Sequence, residues 1–174
     1  ALIRGLFLSD DPVDFQGAYY KLDKAPLSPA CFQGPHIPIL VGGTGEKRTL
    51  RTLARYGDIM NLDGWAGGPM TAEYFKHKVG VLTKHCEDWG RDPSEIKKTV
   101  LMPTLVSDND DEVEAFIKGR NLGEGTAAGS KSLVIDRIGE LIDAGAEEVM
   151  LGGISTVVAE NFQFIDEEIL SAFD

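Results

Sequence analysis

Short apolar runs alternate along this chain with longer segments whose apolar residues recur at helical spacing. The runs lie at residues 37–42, 58–62, 99–106 and 147–152, and a helical pattern follows each of them. Apolar neighbours on both faces of a run are typical of strands in a parallel sheet that helices cover. Successive parallel strands in one sheet are joined by right-handed crossovers. We therefore predict an α/β fold with about four βα units.

The same pattern predicts the domain organisation. We expect residues 1–36 to form the end of a helix and an extended lead-in segment, and residues 37–174 to form a single domain. Two architectures contain such βα units. One is a small open, doubly wound sheet, and the other is half of a (β/α)8 barrel, which typically needs roughly 250 residues. The pattern alone does not choose between them.

Charge and cysteine content limit the possible partners. The net charge is −11, and nucleic acids and anionic membranes bind basic surfaces, so we expect neither as a partner. No apolar run approaches the ~18 residues of a membrane span and no signal peptide is recognisable, so we expect a cytoplasmic protein. Cys31 and Cys86 lie in no CxxC pair and beside no histidine cluster. We therefore predict two free thiols and no metal site.

The clearest helix follows Thr71, which can cap it. Its apolar residues recur at spacings of four and three and predict one buried stripe, formed by Phe75, Val79, Leu82, Cys86 and Trp89. His77 and His85 lie off this stripe, so we expect both to be solvated. Residues 121–130 contain glycines and almost no apolar side chains, and we expect a mobile loop there.

The segment after the first apolar run is rich in glycine and leads directly into a helix. Its residues are Gly42, Gly43, Thr44 and Gly45. Glycines let the backbone approach a ligand, and the free N–H groups and positive dipole of a helix start attract an anion. Lys47 and Arg48 add positive charge, whereas the Glu46 carboxylate would repel a phosphate. A phosphate site and an ordinary βα turn are the alternatives at this point.

Longer motifs extend this turn on both sides. They are Phe15-Gln-Gly-Ala-Tyr-Tyr-Lys-Leu22, the stretch from Ile39 to Asp58, and Asn61. Over residues 13–65 the chain resembles the luciferase-like flavin and deazaflavin oxidoreductases, especially the branch that uses the deazaflavin coenzyme F-420. Residues 66–174 are similar to that family in the order of their elements. The resemblance implies the C-terminal half of a (β/α)8 TIM barrel, without the first four strands.

The resemblance also implies site residues. In the family the glycine turn holds the cofactor phosphate, which assigns that role to residues 42–45. The segment after the second strand lines the cofactor cleft, which adds Asn61 and Asp63, although both residue types also form ordinary turns. Gly152-Gly153 repeats the pattern of a strand followed by glycines, and a plain turn is favoured there. The family's acid/base groups come largely from the first half of the barrel, so no catalytic residue is assigned.

The predicted function follows from this resemblance. We expect part of an oxidoreductase that binds the phosphate of coenzyme F-420 and passes a hydride to or from a small substrate, and that is inactive alone. The alternatives are an FMN-dependent luciferase-like monooxygenase, a non-catalytic half-barrel that self-associates, and an unrelated open-sheet phosphate-binding module. A half-barrel has two open strand edges, which invite other chains. We therefore expect a homodimer or a requirement for the missing N-terminal half.

Overall fold

The computed structural model describes residues 1–153 and 159–173. The chain divides into two compact units, residues 1–39 and residues 40–174. The first unit is a helix followed by an antiparallel two-stranded ribbon. Its elements are α1 (Leu2–Leu8), β1 (Val13–Gln16) and β2 (Lys21–Ala25).

The second unit is built on a parallel five-stranded sheet. Its strands are β3 (Leu40–Gly42), β4 (Ile59–Asp63), β5 (Lys97–Val106), β6 (Ala127–Gly129) and β7 (Glu148–Gly152). The central strand is β5, which pairs with β4 through residues 97–101, with β7 through 99–103 and with β6 through 104–106. Among the described strands, β3 pairs with β4 alone. Because the strands are parallel, their carboxyl ends gather at one edge, where α/β proteins bind ligands.

Helical segments connect these strands. They are a π-helical turn (Glu46–Leu50) that continues as α2 (Arg51–Tyr56), α3 (Ala72–Asp88), α4 (Asp110–Gly119), α5 (Lys131–Asp143) and α6 (Ala159–Glu168), with 3-10 turns at Gly64–Ala66, Pro93–Glu95 and Leu170–Phe173. Thr71 caps α3 as predicted, because its Oγ1 accepts the Tyr74 N–H at 3.2 Å. No helix in the described ranges is long and apolar enough to cross a bilayer.

One face of the sheet packs against the helical segments and forms the main core. Met60, Leu62, Val100 and Met102 are fully buried on this face. They belong to one cluster with buried residues of the flanking segments, namely Leu50, Leu53, Phe75, Leu82, Val134, Leu141 and Ile169. Burial of one side chain of this size contributes about 1.5–3 kcal/mol, so this cluster holds the βα units together.

The opposite face of the sheet is less completely covered. Side chains alternate along a strand, and the strand register places Leu40, Ile59, Leu101 and Met150 together on this side. Leu40 is 47% exposed, and the other three are partly exposed. The second unit therefore presents a partly apolar sheet face that its own helices do not seal.

The parallel sheet with its helices confirms the predicted α/β fold class. The prediction of a loop over residues 121–130 was wrong, because this segment contains β6. Ala127 and Ala128 are buried in that strand, and side chains so small give little apolar signal in the sequence. The strand expected from residue 37 begins at Leu40.

Candidate functional site

The turn between β3 and the following helix lies at the carboxyl edge of the sheet. Gly42 closes β3 and pairs with Asn61 of β4. Gly43 has a φ of +119°, which favours glycine, and its N–H donates to the Asn61 carbonyl at 3.0 Å. The Gly45 carbonyl accepts the Leu50 N–H at 3.0 Å and closes the π-helical turn. The sheet therefore uses the Gly43 amide, which leaves the next amides to any ligand.

Space and unpaired amides remain at this turn. In the part of the chain that the structure describes, a Cβ atom added at Gly42 would meet no heavy atom within 4 Å, and one at Gly43 would meet only the Thr49 methyl at 3.5 Å. The backbone N–H groups of Thr44 and Gly45 donate no hydrogen bond to any described residue. The first amides of a helix also lack partners within the helix. The turn thus combines free donors with open space at Gly42 and Gly43, as an oxyanion site requires, whereas a Cβ atom at Gly45 would lie 2.8 Å from Thr49 Oγ1.

The Glu46 carboxylate, expected to oppose a phosphate, is paired with α3. Its Oε1 accepts a hydrogen bond from Lys78 Nζ at 2.6 Å and lies 2.9 Å from His77 Nε2. These hydrogen bonds lower the pKa of the Glu46 carboxyl below its ordinary value, and the bond from Lys78 has the larger effect. Because its charge is compensated from α3, Glu46 opposes an anion at the turn less than the sequence suggests.

Lys78 is an almost buried cation that the sequence analysis missed. Its side chain is only 8% exposed, and Nζ lies 4.8 Å from the centroid of the Tyr74 ring. Burial is the largest single influence and lowers the pKa of Lys78, but the hydrogen bond to Glu46 and the interactions with Tyr74 together outweigh burial, so the pKa is raised. Lys78 follows Phe75 by three positions and precedes Leu82 by four. Its place on the buried stripe is the signal that could have identified it.

The prediction that His85 is solvated was wrong. Its ring is largely buried, and Nε2 donates to the backbone carbonyl of Glu46 at 2.9 Å. Its Nδ1 is buried without a hydrogen-bond partner among the described residues and lies 3.9 Å from an Asp88 carboxylate oxygen. His77 is exposed, as expected. Together with Lys78, these histidines fix the first residue of the helix that follows the glycine turn.

Asn61 and Asp63 lie near the same edge, and each is held by a hydrogen bond. Asn61 is buried, and its Nδ2 donates to Thr99 Oγ1 at 2.9 Å, while that hydroxyl donates to the Met60 carbonyl at 2.8 Å. Asp63 Oδ1 accepts the Trp65 N–H at 2.9 Å and begins the turn Gly64–Ala66. The structure therefore brings Asn61 beside Gly42, whereas Asp63 shapes the turn after β4.

The glycines at the end of β7 have a crowded environment. A Cβ atom at Gly152 would lie 3.0 Å from the Trp65 indole nitrogen. Gly153 has a φ of +95°, and its Cβ would lie 3.1 Å from the Thr104 carbonyl oxygen and 3.2 Å from the Trp65 ring. The Trp65 ring in turn meets Phe116 edge-on, with 6.2 Å between centroids. These glycines make room for an aromatic side chain.

The described residues contain no other arrangement typical of a reactive site. No group of three or more His, Cys, Asp or Glu residues in the described ranges is placed to hold a metal ion. Cys31 and Cys86 are free, as predicted. Burial is the main cause that raises the pKa of the Cys86 thiol, which disfavours the reactive thiolate. The glycine turn is therefore the best-formed candidate site.

Comparison with known proteins gives both a family and a related sequence. Residues 1–132 match the profile of the luciferase-like monooxygenase family. The chain is 26% identical over 170 residues to the 5,10-methylenetetrahydromethanopterin reductase of Methanopyrus kandleri. The aligned region covers 96% of this chain and 45% of that reductase.

Solved structures show the same fold. An F-420-dependent secondary alcohol dehydrogenase in complex with an F-420–acetone adduct matches 99% of this chain with a TM-score of 0.79 at 22% identity, over 59% of its own chain. Riboflavin lyase with modified FMN and riboflavin matches 93% of this chain with a TM-score of 0.69 at 12% identity, over 48% of its own chain. The chain spans about half the length of the relatives it matches. Because the family profile matches most of its residues, the chain belongs to the luciferase-like monooxygenase family.

Proposed function

We propose that this chain supplies the cofactor-phosphate-binding part of an F-420-dependent oxidoreductase. Residues 42–45 and the first amides of the following helix hold the phosphate. The bound deazaflavin supplies hydride transfer to or from a small substrate, and this chain binds and orients it. The observation that carries the proposal is the open space at Gly42 beside the unpaired amides of Thr44 and Gly45.

Local charge supports an anion at this position despite the net charge of −11. Lys47 and Arg48 are exposed in the first helical turn, and the structure gives neither a carboxylate partner among the described residues. The carboxylate of Glu46 is compensated by Lys78. A helix start also carries a partial positive charge. The turn is therefore locally favourable for a phosphate.

Asn61 and Asp63 complete the proposed cofactor cleft. Asn61 is next to Gly42 in the strand register, and its bond to Thr99 fixes the side chain beside the phosphate position. Asp63 acts by ordering the turn that carries Trp65. In this proposal Asn61 contacts the cofactor directly, and Asp63 sets the position of the adjoining wall.

Coenzyme F-420 is the proposed cofactor, and FMN is the alternative. One structural relative is F-420-dependent, and another contains modified FMN. The turn sequence Gly42-Gly43-Thr44-Gly45-Glu46-Lys47-Arg48 favours the deazaflavin branch through its resemblance to that branch. With FMN and oxygen, the same phosphate site would serve a monooxygenase. We place the protein in the cytosol, in keeping with its two free thiols.

A fluorescence titration tests this proposal. The 174-residue chain is titrated with coenzyme F-420, with FMN and with riboflavin, which lacks the phosphate. We expect F-420 to bind more tightly than FMN, and FMN more tightly than riboflavin. Failure of both phosphorylated cofactors to bind, or equal affinities of FMN and riboflavin, would contradict the proposal. FMN binding above that of F-420 would favour the monooxygenase alternative.

Matched charge variants make the titration specific. Lys47→Gln combined with Arg48→Gln should weaken F-420 binding by about tenfold, because charge-assisted contacts to a phosphate are lost. Lys84→Gln removes an exposed cation on α3 that has no ion-pair partner among the described residues, and it should leave the affinity unchanged. If Lys84→Gln weakened F-420 binding as much as the double variant, the affinity would depend on the overall charge of the chain and not on Lys47 and Arg48.

Self-association is the second proposed property, because the sheet face with Leu40, Ile59, Leu101 and Met150 is not sealed. In this proposal the exposed sheet face is covered either by a second copy of the chain or by the remaining strands of a barrel. Sedimentation velocity should show a dimer that Leu40→Lys weakens. Ile142→Lys, which alters an exposed apolar residue on α5, should leave the dimer intact. A monomer at every concentration would contradict self-association.

A further inference from the structure

The helix that follows the glycine turn carries a basic surface along its exposed side. Its cations are Lys47, Arg48, Arg51 and Arg55, all exposed. The structure gives none of them a carboxylate partner within residues 1–153 and 159–173. In a chain with 28 acidic and 17 basic residues, four neighbouring cations without ion pairs are unusual. We refer to these four residues as the basic face.

Two aromatic side chains support the arginines of the basic face. The Arg55 guanidinium lies 4.2 Å from the centroid of the Trp89 ring and 4.9 Å from that of the Tyr56 ring. The Arg51 guanidinium lies 5.8 Å from the Trp89 centroid. The prediction that Trp89 is buried was wrong: α3 ends at Asp88, and Trp89, its C-cap residue, is 40% exposed. A stacked guanidinium keeps its N–H edge free for a bidentate oxyanion.

The basic face borders a surface cavity of about 410 Å³. The cavity walls consist of the four cations together with Thr52, Tyr56 and Trp89, and none of the acidic residues that the structure describes lines it. Its size suits a small organic or inorganic anion rather than a single water molecule. A concave surface with only cationic, hydroxyl and aromatic groups is chemically matched to an anion.

The spacing of the cations indicates more than one anionic group in the ligand. Arg51 and Arg55 lie four residues apart on α2, which places them about 6 Å apart along its axis, and Lys47 lies about one turn earlier, in the π-helical segment. Cations four residues apart are neighbours on a helix and can share one phosphate group, so the three positions together match a ligand with more than one anionic group. We propose that the cavity is a second binding site, specific for a compact multivalent oxyanion with phosphate or carboxylate groups.

This site shares Lys47 and Arg48 with the proposed phosphate site but differs from it in the remaining residues and in its chemistry. None of residues 42–45 lines the cavity. The glycine turn offers backbone amides, whereas the cavity offers stacked guanidinium groups. Arg55 lies in the last turn of α2, and Arg51 begins α2 five residues after Glu46, which starts the helical segment. Variants of Arg51 and Arg55 therefore test the second site separately from the glycine turn.

Calorimetric titration with tripolyphosphate at low salt tests the proposal, with orthophosphate as the monovalent comparison. Tripolyphosphate should bind, and the double variant Arg51→Gln/Arg55→Gln should weaken it by at least about tenfold. Arg120→Gln is the matched control, because Arg120 is stacked on Phe116 at 4.6 Å elsewhere in the molecule. It should change the affinity by less than about twofold. Orthophosphate that binds as tightly as tripolyphosphate, with an affinity that the double variant lowers equally, would overturn the proposal.

Further variants separate the possible outcomes. Gly42→Val should retain tripolyphosphate binding, and loss of binding in this variant would assign the anion to the glycine turn instead. Arg55→Lys keeps the charge but loses the planar fork, and it should weaken binding by about threefold even if the double variant fails to fold. Binding of a glutamate-rich peptide without binding of tripolyphosphate would replace the proposed site with a protein interface. No binding of tripolyphosphate would exclude the site.

Discussion

Two strands of the sheet end in a pair of glycines, and the two ends differ. After β3, a side chain added at Gly42 would enter open space, and the next amides have no acceptor among the described residues. After β7, side chains added at Gly152 or Gly153 would collide with Trp65. The first pair leaves room for a ligand, whereas the second makes room for the protein's own aromatic side chain.

This difference shows why glycine after a strand is weak as a sign of a phosphate site. The same residue type relieves crowding at one strand end and leaves space at the other. The two strand ends differ in what lies beside the glycines. Trp65 packs against the glycines after β7, whereas no described residue packs against Gly42. The following predictions test whether stability and ligand binding separate between the two ends.

The largest effect is expected at the crowded end. Gly153→Val should lower the free energy of unfolding by about 3 kcal/mol, because a β-branched side chain is strained at a φ of +95° and meets both Thr104 and Trp65. Urea denaturation measures this change. In a Trp65→Leu background the same substitution should cost less, because part of the crowding is relieved. A loss below about 1 kcal/mol would show that this end is not tightly packed.

A smaller, functional effect is expected at the open end. Gly42→Val should change the free energy of unfolding by less than about 0.5 kcal/mol, because the new side chain has space and the backbone is not in the left-handed region. It should weaken F-420 binding by at least about tenfold, which corresponds to about 1.4 kcal/mol, since the side chain occupies the phosphate position. Unchanged affinity in a stable Gly42→Val protein would place the phosphate elsewhere.

The smallest effect is expected from pH, through Glu46. Its pKa is lowered in the folded chain, chiefly by Lys78 and then by His77, from an ordinary value of 4.5. A lowered folded pKa stabilises the protein above the unfolded value, and this contribution is lost as pH falls through the folded value. The stability difference between the wild type and Glu46→Gln should therefore be present at about pH 7 and shrink below about pH 4.5. Solvent exposure of Glu46 keeps it small.

Urea denaturation at several pH values measures this difference. Glu87→Gln, which changes an exposed glutamate on α3, should show no comparable pH dependence. If the Glu46→Gln difference stayed constant across this pH range, the ion pair with Lys78 would contribute nothing to folding.

The sequence predicts the fold class and the position of the glycine turn because both depend on local patterns. Apolar runs followed by helical stripes define the βα units, and glycine directly before a helix defines the turn. β6 was missed because Ala127 and Ala128 fill a narrow space without an apolar pattern. The partners of Glu46 were missed because Lys78 and His85 lie more than thirty residues away and meet it only in the fold. Trp65 likewise reaches Gly152 only through tertiary structure.

A phosphate titration followed by amide NMR tests the central claim most directly. Inorganic phosphate is added to the isotope-labelled chain, and the amide resonances of both strand ends are compared. We predict shifts centred on Thr44 and Gly45, with no comparable change at Gly152 and Gly153. Shifts at the end of β7 instead, or no shifts at residues 44–46, would contradict the assignment of the phosphate site to the turn after β3.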